Sequence, residues 1–499
     1  MALTFVDIFL SLLIYDLLFT LQFLYATETN RQFHPSSIVT SPDEQAKKII
    51  RSLNSFAHNN TVIVNDNSSV IGASRLVERR FKFPFLPLSS PFPENNRHHA
   101  GYYPLPNTKG ARMFYFFFES RNNNNDDPIV LWLSGGPGGS GSIALFYENG
   151  PFLITEQHTL ISNDYGWDKI SNIIYVDQPT GTGFSYTTDN SDIRHDLTAV
   201  SNDLYHFLQE FFNKRSELSQ KDFFITGQSY AGHYVPALAS RIQQGNEAEE
   251  GIPIRLKGIA IGNGHTNPGI QYPSIPRYAL SRLLINQSEY QRIDKDLIPQ
   301  CKSSTKDCDK GIDINDCLTA YVKCNDIVQA IRDATGNLNF YDTRRQRIGT
   351  SNFDYTNMVA FLNMQSVKTA LGVGDITFVA WSSTVFGQMI GEYMKNLDVK
   401  IPPLLKDGIK VLIYVGEFDL ICNWIGNLDW VTEMEWDGKK KFNVAPINLF
   451  RVDGEKVGSL ISYGPLAFFK VFNASHMVPT DQPKTAYHMI QRWMKGELK

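Results

Sequence analysis

The 499-residue sequence predicts an α/β fold built on a mostly parallel central sheet with helices on both faces. Three observations carry that expectation. Residues 129–133, 173–176, 223–226 and 410–415 are continuous apolar runs without alternation, as strands covered on both faces require. Stretches of helical spacing separate them; in 196–212, Leu197, Val200, Leu204, Phe207, Leu208 and Phe211 fall on one side. Several runs end in glycine-bearing turns: Ser134-Gly135-Gly136-Pro137 after the first, Gly227-Gln228-Ser229 after the third and Gly416-Glu417-Phe418-Asp419 after the fourth.

Composition narrows the class. Hydrophobic residues make up 42% and charged residues 20%, enough apolar material for a large core. Net charge is -4 and there is no basic block, so nothing points to nucleic acid. No H-E-x-x-H motif occurs and the His98-His99 pair lacks ligand spacing, so no metal or other cofactor is implied. Residues 1–26 read as a signal peptide, with an apolar stretch from 4 to 25 and Ala26 able to end a cleavage site. Asp7 and Asp16 interrupt it, and each would cost roughly 3 kcal/mol in a bilayer, which disfavours the alternative of a stable membrane anchor. Cys301, Cys308, Cys317 and Cys324 lie close together, which suits an exported, disulfide-stapled unit; spacing alone leaves three pairings open. Cys422 is left over. Asn59, Asn67 and Asn286 stand in glycosylation sequons. So does Asn473, where a glycan three residues from His476 would crowd the site, so it is expected to be unmodified. A location in the secretory pathway, with the vacuole or cell exterior as endpoint, follows.

In chain order, residues 27–95 are polar and mixed, include the dibasic Arg79-Arg80, and read as a propeptide or loosely packed arm. The core starts near 96 and its first part runs to 264. An aromatic strand at 111–118 leads to the strand at 129–133 and the glycine-rich loop Ser134 to Gly141. Without G-K-[ST] the loop is not a phosphate cradle. Its glycines instead let backbone N–H groups approach a developing alkoxide. Residues 265–345 break the alternation, hold the four clustered cysteines and read as an inserted helical cap. The second part of the core, 346–499, has helical patterns at 357–371 and 382–394, strands at 410–415 and 466–472, and a closing helix at 486–498.

Ser229 stands at the centre of the run Gly227-Gln228-Ser229-Tyr230-Ala231-Gly232, where a strand turns sharply into a helix. Asp419 and His476 each follow a later strand. The order Ser, Asp, His is that of the α/β-hydrolases, whose nucleophile sits on such an elbow. Chymotrypsin-like and subtilisin-like enzymes use other orders.

Further motifs resemble the serine carboxypeptidases of the carboxypeptidase Y family, and most of all the plant type III group. They are Trp132-Leu133-Ser134-Gly135-Gly136-Pro137-Gly138, Glu148-Asn149-Gly150-Pro151, Asp177-Gln178-Pro179, the elbow, Ile261-Gly262-Asn263-Gly264, Asp419-Leu420-Ile421-Cys422-Asn423-Trp424 and His476-Met477-Val478-Pro479. The resemblance implies an acyl-enzyme peptidase acting on peptides or proteins with a free C-terminus. Ser229 is then the nucleophile, His476 the base and Asp419 its orienting acid. The N–H groups of Gly136 and Tyr230 form the oxyanion hole. Ser134, Gly135, Glu148 and the residue before the nucleophile, here Gln228, hold the substrate carboxylate, and Cys422 and Met477 border the substrate. It also implies nested disulfides, 301–324 outside 308–317. The sequence departs from the family in four respects. Gln228 replaces an acid, Gly139 and Trp381 replace a bonded cysteine pair, a second bridge near Arg347 and Asn352 is missing, and Ser475 replaces glycine. Two other readings share these residues: an acyltransferase on the same triad, and a catalytically weakened relative that binds peptide ends.

Overall fold

The computed structural model describes residues 77–84, 97–122, 124–311, 313–348 and 352–498. The expected signal peptide and the sequons at Asn59 and Asn67 lie outside these residues. Among the described residues the strands are β1 (Val77–Arg80), β2 (His98–Pro104), β3 (Arg112–Phe118), β4 (Ile129–Leu133), β5 (Phe152–Ile154), β6 (Leu160–Ser162), β7 (Asn172–Asp177), β8 (Phe223–Gln228), β9 (Leu256–Gly262), β10 (Lys410–Gly416), β11 (Asn448–Val452), β12 (Glu455–Tyr463) and β13 (Leu466–Val471). Eleven form one sheet in the order β1-β2-β3-β7-β4-β8-β9-β10-β13-β12-β11, and β5 pairs with β6 apart from it. The centre, from β7 to β13, is parallel. An antiparallel wing flanks it on each side.

The unbroken apolar runs now have their reason. All five residues of β4 are buried. Ile129, Leu131 and Leu133 face one core with the helices Leu197–Lys214 and Ala231–Glu247. Val130 and Trp132 face the other with the helices Ser142–Tyr147, Thr356–Leu362, Gln365–Leu371 and Pro483–Lys495. A strand that meets helices on both sides has no solvent face to mark with polar residues.

The cap consists of the helices Pro268–Ser281, Gln287–Asp296, Ile298–Asp309 and Ile314–Thr335 around a small apolar cluster of their own. Disulfides Cys301–Cys324 and Cys308–Cys317 are nested and tie its last two helices together.

Two expectations need correction. The arm over 27–95 is not loose where it is described. β1 pairs antiparallel with β2, and Phe81 and Phe83 are buried in a core cluster. Its polar sequence, Val-Glu-Arg-Arg, hid a strand that sits at the sheet's edge. The helix expected at 357–371 is two helices. Asn363 caps the end of the first: its amide donates back to the Val359 carbonyl at 2.9 Å and outward to the Phe378 carbonyl at 3.1 Å, and accepts from the Phe378 N–H at 2.9 Å. Among the described residues no helix is long and apolar enough to cross a membrane.

Candidate active site

Ser229 follows β8 and begins the turn into the helix Ala231–Glu247. Its φ is +62°, a left-handed backbone that costs a non-glycine residue of the order of 1 kcal/mol. Three backbone bonds hold it there. Its N–H donates to Gly262 O at 3.0 Å, and its carbonyl accepts from Gly232 at 2.9 Å and His265 at 2.8 Å. The small flanks are a spatial need. A Cβ on Gly227 would lie 2.6 Å from that of Ala231, and one on Gly232 would lie 2.6 Å from His265 O. Ala231 is therefore tolerated at the fifth motif position because Gly227 has no side chain. Beneath the turn Tyr230, His233, His265 and Tyr393 stack face to face, with Tyr230 and His233 centroids 4.6 Å apart. Burial holds both histidines well below their ordinary range, so the stack is uncharged.

Asp419 and His476 arrive from β10 and β13, neighbours in the sheet. His476 Nδ1 bonds Asp419 Oδ2 at 2.6 Å, and both residues are buried. Asn263 Nδ2 donates to the same carboxylate oxygen at 2.8 Å, while Oδ1 accepts from the N–H groups of Ile421 and Cys422 at 3.0 and 3.2 Å. Four donors therefore surround the fully buried carboxylate and fix its orientation. The base is fixed in turn: the His476 N–H donates to Tyr341 O at 2.9 Å, and the Tyr341 ring stands edge-on to the imidazole at 4.7 Å.

Ser229 and His476 line one cavity of about 270 Å³. The glycine-rich loop closes one wall. A Cβ on Gly135 would lie 2.6 Å from both Ser229 Cβ and the Tyr230 nitrogen, so only glycine leaves room for an atom bound to Ser229. Gly136, at φ +124°, turns the loop back at the cavity wall. Ser134 accepts from Trp132 Nε1 at 3.2 Å.

Glu148 and Gln228 line the same cavity, and the Gln228 amide donates to Glu148 Oε1 at 3.4 Å. Glu148 Oε2 and Gln228 Oε1 are buried without a partner. Burial raises the Glu148 carboxyl to about 8, with Asp481 adding to the rise and Gln228 opposing it. At neutral pH this carboxyl is a neutral donor. Met477 joins the wall, where the Tyr355 hydroxyl donates to its sulfur at 3.8 Å.

Cys422 does not border this cavity. It is buried behind Asp419, with its thiol pushed well above its ordinary range by burial and then by the Asp419 charge. Its expected contact with substrate is therefore replaced by backbone support of the acid. Sequence reading also missed contributors. Tyr341, Phe353, Tyr355 and Tyr393 line the cavity from scattered loops, and no local signal marks them. Asn263 could have been found from its motif, although its role emerges only when β9 and β10 lie side by side.

A serine on a strained elbow, followed in the chain by an aspartate and a histidine that come after parallel strands, defines the fold of an α/β-hydrolase. The chain belongs to the serine carboxypeptidase family, whose sequence profile matches residues 88–496. It is 50% identical to serine carboxypeptidase-like 49 of Arabidopsis thaliana over 98% of this chain and 95% of that one. It is 52% identical to serine carboxypeptidase 3 of Oryza sativa subsp. japonica, over 92% and 90% of the two chains. Among solved structures it is similar to Kex1(delta)p, a prohormone-processing carboxypeptidase from Saccharomyces cerevisiae. The TM-score is 0.72 at 26% identity, covering 83% of this chain and 96% of that one.

Proposed function

We propose that the protein removes C-terminal residues from peptides by way of an acyl-enzyme on Ser229. The observation that carries this reading is the placing of an uncharged, buried carboxyl–amide pair, Glu148 and Gln228, in the cavity that holds Ser229 and His476. In the reaction Ser229 Oγ attacks the last peptide carbonyl while His476 Nε2 takes its proton. Asp419 keeps the other imidazole proton on Nδ1. The N–H groups of Gly136 and Tyr230 receive the alkoxide, each worth roughly 3 kcal/mol of barrier. His476 returns the proton to the leaving amine, and water then repeats the sequence to release the acyl group. Ser134, Gly135, the protonated Glu148 and the Gln228 amide receive the substrate carboxylate.

Two features support a secretory location, in the vacuole or outside the cell. Paired disulfides persist where the surroundings are oxidising. Asn286 is exposed, and its Oδ1 caps the helix Gln287–Asp296 through Glu289, which leaves Nδ2 for a glycan.

The test is kcat/KM for one blocked dipeptide, as free acid and as C-terminal amide, from about pH 4 to 8. The acid form should be cleaved and the amide poorly, with all activity lost in Ser229→Ala. Activity on the acid should persist until Glu148 ionises near 8. Gln228→Glu should move that fall to lower pH, because two adjacent carboxyls share one proton and then repel an anionic end. An unchanged profile in Gln228→Glu overturns the role given to the pair.

A further inference from the structure

The residues ahead of the family match pack as part of the catalytic unit. β1 pairs along its whole length with β2, and Val77 lies opposite Tyr102. β2 is shaped for it, since a Cβ on Gly101 would lie 2.0 Å from Val77 O. The Glu78 carboxylate is nearly buried. It accepts from Arg215 Nη2 at 2.6 Å and from the Tyr115 hydroxyl at 2.6 Å. The Arg79 guanidinium donates to Thr369 O at 3.1 Å and rests on Gly372, where any Cβ would come within 2.5 Å of it.

Phe83, 1% exposed, is the inner end of this segment. Its ring lies 5.6 Å from Phe146, 5.7 Å from Phe152 and 5.6 Å from Phe361. Phe146 belongs to the helix Ser142–Tyr147, which ends at Glu148. Phe361 belongs to the helix Thr356–Leu362, which brings Val359 to the cavity wall. Phe83 thus wedges the two helices that carry one end of the cleft.

We propose that residues 77–83 are a retained strap of the working enzyme, and that Phe83 is a positioning residue for substrate-carboxylate binding, acting through Phe146 on Glu148. Arg79-Arg80 is then a structural clamp and not the point at which a propeptide is cut. The inference rests on the carboxylate-binding role of Glu148 proposed above.

Two measurements test it. The first is N-terminal sequencing of the purified active enzyme, wild type and Arg80→Gln, a change at an exposed side chain. Both should begin at or before Val77. A first residue after Phe83, or a start that moves in Arg80→Gln, overturns the strap. The second compares Phe83→Ala and Phe83→Leu on the free-acid and amide dipeptides. Phe83→Ala should raise KM for the acid about tenfold, leaving kcat and the slower amide reaction within about twofold. Phe83→Leu should recover most of the loss, and it carries the test if the alanine variant does not fold. Equal losses on acid and amide, or no loss, overturn the positioning role. Failure of the wild type on both substrates would instead refute the carboxypeptidase reading itself.

Discussion

Two insertions border the cleft, and they are secured by different means. The cap is cross-linked by two disulfides. The glycine-rich loop is pinned to the segment around Trp381 with no covalent link. Gly139 pairs with Trp381 as an isolated antiparallel bridge, Ser140 N–H donates to Ala380 O at 3.0 Å, and Ser382 N–H donates to Gly138 O at 2.9 Å. The Trp381 ring covers Gly139, 3.5 Å from where a Cβ would stand. The difference follows from what each region can bury. Of the cap helix Gln287–Asp296 only Ile293 is buried, and Ile298–Asp309 buries four residues, two of them the cysteines. Polar helices with so little core need a staple, as small domains do. The loop lies against the main core, where backbone pairing and one aromatic ring suffice. Where the family resemblance implies a cysteine pair, Gly139 and Trp381 still meet, through a backbone bridge and ring packing.

Breaking the staple should have the largest effect on stability. Cys301→Ser with Cys324→Ser opens a 23-residue separation, and chain entropy puts the loss near 3 kcal/mol. Urea unfolding would read it, while kcat/KM of the folded variant should stay within about twofold. Breaking the pin should have the reverse profile. Trp381→Ala removes a half-buried ring, about 2 kcal/mol, less than a fully buried one. It should also lower kcat about tenfold, because the loop that carries Gly136 loses its support. Gly139→Cys with Trp381→Cys sharpens the comparison. Residues paired across an antiparallel bridge lie within disulfide reach, and the oxidised variant should gain up to about 2 kcal/mol over its reduced form by urea unfolding.

The one pH-dependent effect concerns Glu148. Its carboxyl is raised on folding to about 8, so the native state holds a proton that the unfolded chain gives up near the ordinary carboxylate range. Its contribution to stability therefore falls as pH climbs from about 4.5 toward 8. Glu148→Gln should gain stability relative to wild type on going from about pH 5 to pH 8, by the order of 3 kcal/mol. A gap between the two urea midpoints that stays constant with pH would contradict the raised carboxyl.

The parallel strands and the triad were legible because each is written locally. β4 is apolar throughout, β7, β8 and β10 carry apolar runs, and Ser229, Asp419 and His476 follow β8, β10 and β13. The wings were not. β12, Glu-Lys-Val-Gly-Ser-Leu-Ile-Ser-Tyr, has one covered face and a glycine in its middle, and β2 carries two histidines and a proline. Those strands take their shape from partners distant in the chain. The cavity's aromatic lining was hidden for the same reason. Tyr341 and Phe353 become neighbours of His476 only through tertiary packing. Ring centroids there lie within 6.3 Å across more than a hundred residues of sequence.

The cap's two ends lie on opposite sides of the reaction. His265, near its start, donates its N–H to the carbonyl of Ser229, and Tyr341, near its end, accepts the N–H of His476. The insertion thus works as a caliper whose jaws, His265 and Tyr341, rest on Ser229 and His476. A shift of either anchor would change the gap between Ser229 and His476. Substitutions that move His265 or Tyr341 should therefore register in kcat before they register in substrate affinity, whereas changes farther out on the cap should not.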